Sequence, residues 1–155
     1  MKVLEFEAKE LLKGRGILVP AGRLAVSAEE AASVAKDIGG PVVVKAQIPM
    51  ARRLKAGGIR FAASSEEASA AARELLGSTV LGFRVNHVLV EERIATQTEA
   101  FLGVAYDFDS RSAVVLGSRS GGTDVEASQA VVRRSFSVKD PLPNEFGCEL
   151  ARDLG

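Results

Sequence analysis

The chain has 155 residues, 46% of them hydrophobic, and its 20 basic and 20 acidic residues cancel to a net charge of zero. This composition excludes a disordered chain and argues against a general nucleic-acid or membrane-surface binder, which needs excess positive charge. One cysteine and one histidine exclude an internal disulfide and a zinc site of several thiolates or histidines. Because no apolar run approaches the roughly 20 residues of a membrane-spanning helix, we expect a soluble, cytoplasmic protein.

The first half of the chain is predicted to alternate helices with short strands. The second and third helices are rich in alanine, begin at a serine followed by glutamates and end at glycines, as capped helices do. In the first helix we expect Phe6, Leu11 and Leu12 to face inward. The apolar, β-branched run Val42–Lys45 is typical of a central strand. The predicted helices are 5–13, 27–38 and 65–76, and the predicted strands are 24–26, 42–45, 59–62 and 87–91.

The second half is predicted to be a run of antiparallel strands followed by a helix. Asp107–Arg111 has the composition of a hairpin turn, in which an aspartate accepts backbone hydrogen bonds more readily than it binds a metal. We interpret Gly121–Gly122 as a turn and Cys148 as a small packing residue. This element order indicates an α+β fold and not a Rossmann sheet. The predicted strands are 100–106, 112–116 and 131–138, and the predicted helix is 145–154.

The segment from Lys45 to Arg60 carries five basic residues and no acidic residue. Lys45 follows an apolar strand, so its ammonium group needs a counter-charge. The pair Gly57–Gly58 allows backbone amides to approach an anion, and nearby cations favour phosphate. Two interpretations fit these residues equally well: a basic loop over a polyphosphate, and a solvated basic hairpin whose Lys45 pairs with a structural carboxylate.

Acidic residues follow the apolar run Val88–Val90. Glu91 and Glu92 come directly after it, and Glu99 lies eight residues beyond Glu91. Carboxylates at the end of a strand can accept hydrogen bonds from an adenine amine or from ribose hydroxyls, but the residue types alone favour surface acids that close a strand. The sequence contains neither a Walker A loop nor a dinucleotide-binding glycine pattern.

Four stretches of the chain carry a resemblance to a known family. They are Glu5–Gly22, Val42–Gln47 with Lys55–Gly58, Val88–Glu92 with Glu99–Asp107, and Ser120–Glu126. Together they resemble the N-terminal part of the β subunit of succinyl-CoA synthetase and its relatives malate-CoA ligase and ATP-citrate lyase, which are ATP-grasp acid–CoA ligases. The resemblance implies an α+β ATP-grasp N-terminal region. Residues 20–97 would form a small nucleotide-binding lobe, and residues 1–19 and 98–155 would start a second, incomplete lobe.

The resemblance also implies nucleotide contacts at seven residues. Lys45 matches a lysine that contacts the ATP phosphates. Glu91 matches a hinge residue near the adenine, and Glu99 matches a carboxylate near the ribose. The other implied contacts are a backbone contact at Ile94 and the loop residues Arg52, Arg53 and Leu54. This loop normally reads G-G-R-G in the family, so Arg52 and Leu54 stand where glycines are expected, which bears on nucleotide affinity.

The reaction that the resemblance implies joins an acid to CoA, as in the tricarboxylic acid cycle. ATP or GTP is consumed, and acyl-CoA, nucleoside diphosphate and phosphate are formed. The Asn and Asp that hold Mg²⁺ in the family lie beyond the matched region, and most of the CoA site belongs to a partner α subunit. We therefore assign no catalytic or metal-binding residue to the chain and expect it to be inactive alone. The alternative is a non-catalytic nucleotide-binding, regulatory or assembly module derived from that lobe.

Overall fold

The structure, a computed structural model, describes residues 3–121 and 131–155. The chain divides into two compact units, residues 1–95 and 96–155. The first unit contains the helices α1 (Glu5–Lys13), α2 (Ala28–Ile38) and α3 (Ser65–Leu75). Its strands are β1 (Gly22–Ala25), β2 (Val42–Ala46), β3 (Ile59–Ala62), β4 (Thr79–Val80), β5 (Phe83–Arg84) and β6 (Val88–Glu92). The second unit contains β7 (Phe101–Asp107), β8 (Ser112–Ser118), β9 (Val132–Phe136) and α4 (Glu145–Leu154).

Four strands of the first unit form one antiparallel sheet in the order β1-β6-β2-β3. Because successive side chains of a strand point to opposite sides, this sheet has two different faces. The register places Val44 beside Val90 and Lys45 beside Leu89. We call the side that carries Val42, Val44, Val88 and Val90 the helix face. We call the side that carries Val43, Lys45, Leu89 and Glu91 the site face.

The core of the first unit lies between the helix face and the helices α2 and α3. Small alanine side chains on both helices allow the helices and the sheet to approach closely at native packing density. Ser27 accepts a hydrogen bond from the Glu30 amide at 3.2 Å, and Ser64 accepts one from the Glu67 amide at 3.3 Å. Gly39 ends α2 with a φ of 74°. The two capped, alanine-rich helices predicted from the sequence are thus confirmed.

One prediction for the first unit is wrong, and one element of the first unit was not predicted. No residue of α1 is buried, and the leucines expected to face inward, Leu11 and Leu12, are 66% and 43% exposed. Polar contacts of α1 with the sheet take the place of the expected apolar packing. The sequence also gave no indication of the β4–β5 hairpin, whose turn is Leu81–Gly82. A leucine with a positive φ, 50° here, is an unusual first residue for such a turn.

The second unit is a three-stranded antiparallel sheet in the order β7-β8-β9, with α4 packed on it. Asp107 accepts a backbone hydrogen bond from Asp109 at 3.0 Å, which confirms the predicted turn. Cys148 is exposed, so its interpretation as a packing residue is wrong; α4 buries Leu150 instead.

Part of what the sequence predicted cannot be compared with this fold. The second residue of the predicted Gly121–Gly122 turn and most of the Ser120–Glu126 stretch fall outside the described residues. The assignment of 20–97, 1–19 and 98–155 to two lobes stays a prediction. Among the described residues, no helix is both long enough and apolar enough to cross a membrane.

Candidate functional site

Two oppositely charged side chains lie next to each other on the otherwise apolar site face. Lys45 belongs to β2 and Glu91 to β6, and the register sets them diagonally across the two strands. The Lys45 ammonium group and the Glu91 carboxylate form an ion pair. Only 3% of Glu91 is exposed, so the interpretation of Glu91 as a surface acid is wrong. The structure shows the carboxylate partner of Lys45 that the second interpretation predicted, and the first interpretation, a loop over a polyphosphate, stays a prediction.

The helix α1 adds two more charged side chains to this pair. Glu5 and Lys9 are one helical turn apart and face the same side, as residues at i and i+4 do. The Glu5 Oε1 atom lies 3.0 Å from the Lys45 Nζ atom and 3.0 Å from the Lys9 Nζ atom. Lys9 also pairs with the Glu91 carboxylate. Each of the two carboxylates is therefore shared between the two lysines.

Arg53 brings a third cation to the cluster from the loop between β2 and β3. Its guanidinium group donates to the Ala46 carbonyl at 2.8 Å and pairs with Glu5 Oε2. Gly58 fixes the backbone of Arg53, because the Gly58 amide donates to the Arg53 carbonyl at 2.7 Å. A Cβ atom at Gly58 would lie 3.3 Å from the Arg53 Cβ and 3.1 Å from Val80 Cγ1, so a larger residue would crowd the loop.

The ionisation of the cluster follows from these contacts. Burial opposes the charged form of Glu5, but the positive charges of Lys45, Lys9 and Arg53 outweigh it and lower the pKa of Glu5 to about 2. Burial also opposes the charged form of Lys45, yet its bonds to Glu91 and Glu5 raise its pKa above the ordinary value. Glu5 and Lys45 are therefore both charged at neutral pH. Among the described residues that form this cluster, three cations face two carboxylates.

A cleft of about 550 Å³ opens beside this cluster, between α1 and the β1–β6 side of the sheet. Its apolar lining comes from Phe6, Leu24 and Leu89, and its polar lining includes Lys9 and Glu91. The further lining residues are Glu10, Lys13, Val19, Pro20, Ala21, Gly22, Arg23 and Glu92. The lining residues thus include seven apolar or small residues and six charged residues, and a concave surface that combines both kinds can accept a small molecule with apolar and polar parts.

Close packing at the floor of the cleft fixes the position of Glu91. Gly22 pairs with Glu91 across β1 and β6. A Cβ atom at Gly22 would lie only 2.6 Å from the Glu91 Cβ and 2.6 Å from the Val90 carbonyl oxygen. Because only glycine fits there, β1 can approach β6 without pushing Glu91 away from Lys45.

Three of the seven predicted site residues meet in this cluster: Lys45, Arg53 and Glu91. Arg52 and Leu54 lie on the exposed surface of the loop, and Ile94 is exposed in the segment after β6. Glu99 is exposed and belongs to the second unit, where its carbonyl accepts a hydrogen bond from the Gly121 amide at 2.9 Å.

Two residues of the cluster, Glu5 and Lys9, were not predicted from the sequence. Their i, i+4 spacing was a visible signal of an ion pair on one face of α1. That spacing alone could not show that the pair lies on the sheet, because it is equally common on solvent-exposed helices. Among the described residues, no group of three or more His, Cys, Asp or Glu side chains could hold a metal ion.

Comparison with known protein families gives a direct assignment. The ATP-grasp domain family matches residues 2–152, nearly the whole chain. The chain belongs to the ATP-grasp domain family. The mixed helix and sheet architecture and the ATP-grasp fold predicted from the sequence are thereby confirmed. Membership in this family implies nucleotide binding.

The curated relatives of the chain include β subunits of succinate–CoA ligases. The chain is 52% identical over 126 residues to subunit beta 1 of the ADP-forming succinate–CoA ligase of Archaeoglobus fulgidus, covering 81% of this chain and 33% of the relative. It is 42% identical over 149 residues to the corresponding β subunit of Halobacterium salinarum, covering 96% of this chain and 39% of the relative. The chain thus spans about a third of the length of the curated relatives it matches.

Solved structures give the same picture of the fold. PH1788 of Pyrococcus horikoshii has a TM-score of 0.76 and 26% identity, covering 97% of this chain and 63% of that one. Acetyl-coenzyme A synthetase 1 of Candidatus Korarchaeum cryptofilum, solved with coenzyme A and acetyl-coenzyme A, has a TM-score of 0.75 and 28% identity, with coverages of 98% and 65%. An ATP citrate lyase from Methanothrix soehngenii, 20% identical with a TM-score of 0.61, shares the fold.

Proposed function

We propose that this chain is the nucleotide-binding part of an acid–CoA ligase β subunit and that it binds ATP or GTP on the site face of the first unit. One observation carries the proposal. Lys45 from the sheet and Arg53 from the basic loop converge on the same oxyanion, the carboxylate of Glu5. A lysine and an arginine held on one anion are the donors that phosphate groups require.

The cleft beside the cluster supports a place for the nucleotide base. Its apolar lining, Phe6, Leu24 and Leu89, offers the flat surface against which a purine can pack. Glu91 provides carboxylate oxygens at its edge that can accept hydrogen bonds from amino or hydroxyl groups. In this proposal the phosphates lie toward Lys45 and Arg53, and the base and ribose lie in the cleft.

The names of the relatives support a role within a two-subunit ligase. Such a ligase couples ATP or GTP cleavage to the joining of an acid and CoA. In phosphoryl transfer, most of the catalysis comes from positioning and from positive charge around the phosphates. We assign that positioning to Lys45 and Arg53, and we assign the CoA site to a partner α subunit in the cytoplasm. The nucleotide would bring Mg²⁺ with it. The proposal therefore predicts nucleotide binding, and no acyl-CoA formation, by the chain alone.

Titration calorimetry with ATP and GTP in the presence of Mg²⁺ tests the proposal. Replacing Lys45 by methionine keeps the length of the side chain and removes the charge, so we expect the Kd of the Lys45→Met variant to rise about tenfold or more. Lys36→Met is the matched control, because Lys36 is exposed in the last turn of α2, and its Kd should equal that of the wild type. Nucleotide binding that is absent, or equal in all three proteins, would rule the proposal out.

A second candidate function is a non-catalytic nucleotide-binding or assembly module. The loop between β2 and β3 favours this function. Arg52 stands where the acid–CoA ligase loop has a glycine, and its φ of 60° lies in the left-handed region that favours glycine. Acyl-CoA formation separates the two functions. Turnover of succinate, CoA and ATP when a partner α subunit is added supports the ligase; nucleotide binding without turnover under the same conditions supports the module.

A further inference from the structure

Glu5 contacts every cation of the cluster. Its Oε1 atom lies 3.0 Å from the ammonium nitrogens of both Lys45 and Lys9, and its Oε2 atom pairs with the guanidinium group of Arg53. Glu91 contacts only the two lysines. Among the described residues of this cluster, Glu5 is thus the carboxylate that bridges the sheet, the helix α1 and the basic loop.

A phosphate group needs the same donors that Glu5 occupies. Carboxylate and phosphate are both oxyanions, and arginine and lysine bind either one through charge-assisted hydrogen bonds. Two anions that share one set of donors repel each other. Glu5 and a nucleotide phosphate therefore compete for the donors of Lys45 and Arg53 that Glu5 occupies in this geometry.

The attachment of α1 is suited to a reversible exchange of anions. No side chain of α1 is buried, so little apolar surface holds the helix in place. Polar contacts attach it instead: the ion pairs of Glu5 and Lys9, and a hydrogen bond of 3.2 Å from the Phe6 amide to the side-chain oxygen of Gln47. Moving Glu5 away exchanges ion pairs for hydration and does not open the apolar core, which lies on the other face of the sheet.

We propose that Glu5 is an internal anion that competes with phosphate for the donors of Lys45 and Arg53, and that a nucleotide must displace it to bind. Glu5 then sets the affinity of the site, and the position of α1 responds to nucleotide. The charges of the described cluster residues are consistent with this role: when Glu5 is displaced, Lys45 and Arg53 exceed the remaining carboxylate, Glu91, by at least one positive charge. This inference rests on the proposed nucleotide site.

The first test measures binding to the full chain and to its Glu5→Gln variant by calorimetry. Two probes are used: ADP, and inorganic tripolyphosphate, which reports the cations without a base. We expect the variant to bind both probes about tenfold tighter or more, because a competing charge is gone. Glu74→Gln is the matched control. Glu74 loses the same charge and also pairs with an arginine, Arg60, at 3.3 Å, but Arg60 extends from the helix face.

The outcomes separate this inference from the proposed function. Equal or weaker binding of both probes by the Glu5→Gln variant would overturn the inference and leave the nucleotide site in place. Tighter binding of tripolyphosphate without any binding of ADP would support the internal anion and overturn the base site. No binding of either probe by either protein would overturn both.

A second measurement needs no substitution. The Glu5 carboxyl carbon can be titrated by ¹³C NMR in the wild-type chain, with and without saturating tripolyphosphate. Displacement removes the cations that hold its pKa at about 2, so we expect the pKa to rise toward the ordinary value of 4.5. A pKa that stays at about 2 in the presence of the bound probe would contradict displacement.

Discussion

The two faces of the four-stranded sheet show how one strand contributes to the apolar core and to a charged cluster at once. Along β2, Val42 and Val44 point to the helix face and are completely buried in the core, whereas Lys45 points to the site face and is in contact with charged groups. In β6, Val90 and Glu91 are neighbours in sequence and are divided in the same way. Because side chains alternate along each strand, two residues adjacent in sequence belong to the apolar core on one face and to the charged cluster on the other.

This difference teaches that the two faces respond to different perturbations. The helix face is stabilised by burial of apolar area, which involves no ionisable group and is not weakened by the screening of charges. The site face is stabilised by ion pairs that depend on the ionisation of Glu5 and on screening. A substitution on the helix face should leave the pH dependence of stability unchanged, and a substitution on the site face should leave the apolar core unchanged.

The largest expected effect is a loss of stability on the helix face. Leu75 of α3 is 2% exposed, and Leu75→Ala should lower the free energy of unfolding by about 3 kcal/mol, because it removes buried methyl groups and leaves a cavity. Urea denaturation measures this loss. Leu11→Ala in α1 is the matched control, since Leu11 is 66% exposed, and it should change stability by less than about 0.5 kcal/mol. Similar losses in both variants would show that α1 is part of the core.

The next effect is a pH dependence that originates on the site face. The folded chain holds the pKa of Glu5 at about 2, below the ordinary 4.5, so the stability from Glu5 is present above pH 5 and is lost as the pH falls toward 2. Between pH 6 and pH 3 this loss should be about 2 kcal/mol.

Denaturation of the wild type and of Glu5→Gln at both pH values isolates this contribution. The variant lacks the titrating group, so its stability should fall by about 2 kcal/mol less than that of the wild type over the same interval. Leu75→Ala should retain the full pH dependence, since the substitution lies on the helix face. Parallel pH dependence in the wild type and in Glu5→Gln would contradict the ionic role of Glu5.

The smallest effect concerns the hairpin that packs its Val80 into the core of the helix face. Leu81 has a φ of 50° and precedes Gly82, so Leu81→Asn places a residue that tolerates this backbone in the turn. We expect thermal unfolding to show a gain of about 0.5 kcal/mol, without any change in nucleotide affinity. The control is Leu142→Asn, which replaces an exposed leucine outside the positive-φ residues. An equal gain in both variants would mean that replacing an exposed leucine by a polar residue causes the gain, and not the backbone of the turn.

Much of the fold could be predicted because its signals are local. Serine caps, the C-terminal glycine of α2 and the alanine faces of α2 and α3 depend on residues a few positions apart. The same holds for the Asp107 turn. The β4–β5 hairpin could not be predicted, because leucine, the residue at position 81, is not typical of the first position of such a turn. The orientation of α1 was predicted incorrectly, since its apolar residues suggested a buried face that the helix does not have.

The sequence by itself determined the identity of the charged residues Lys45, Arg53 and Glu91, and the family resemblance assigned them to a nucleotide. It also determined which residues of β2 and β6 share a face, because side chains alternate along any strand. Only the tertiary structure decided that Glu5 and Lys9 join them. Glu5 is 40 residues from Lys45 and Lys9 is 82 residues from Glu91, and contacts over such separations depend on how the helix and the strands pack. The charge of each residue is local, but its partner is a property of the fold.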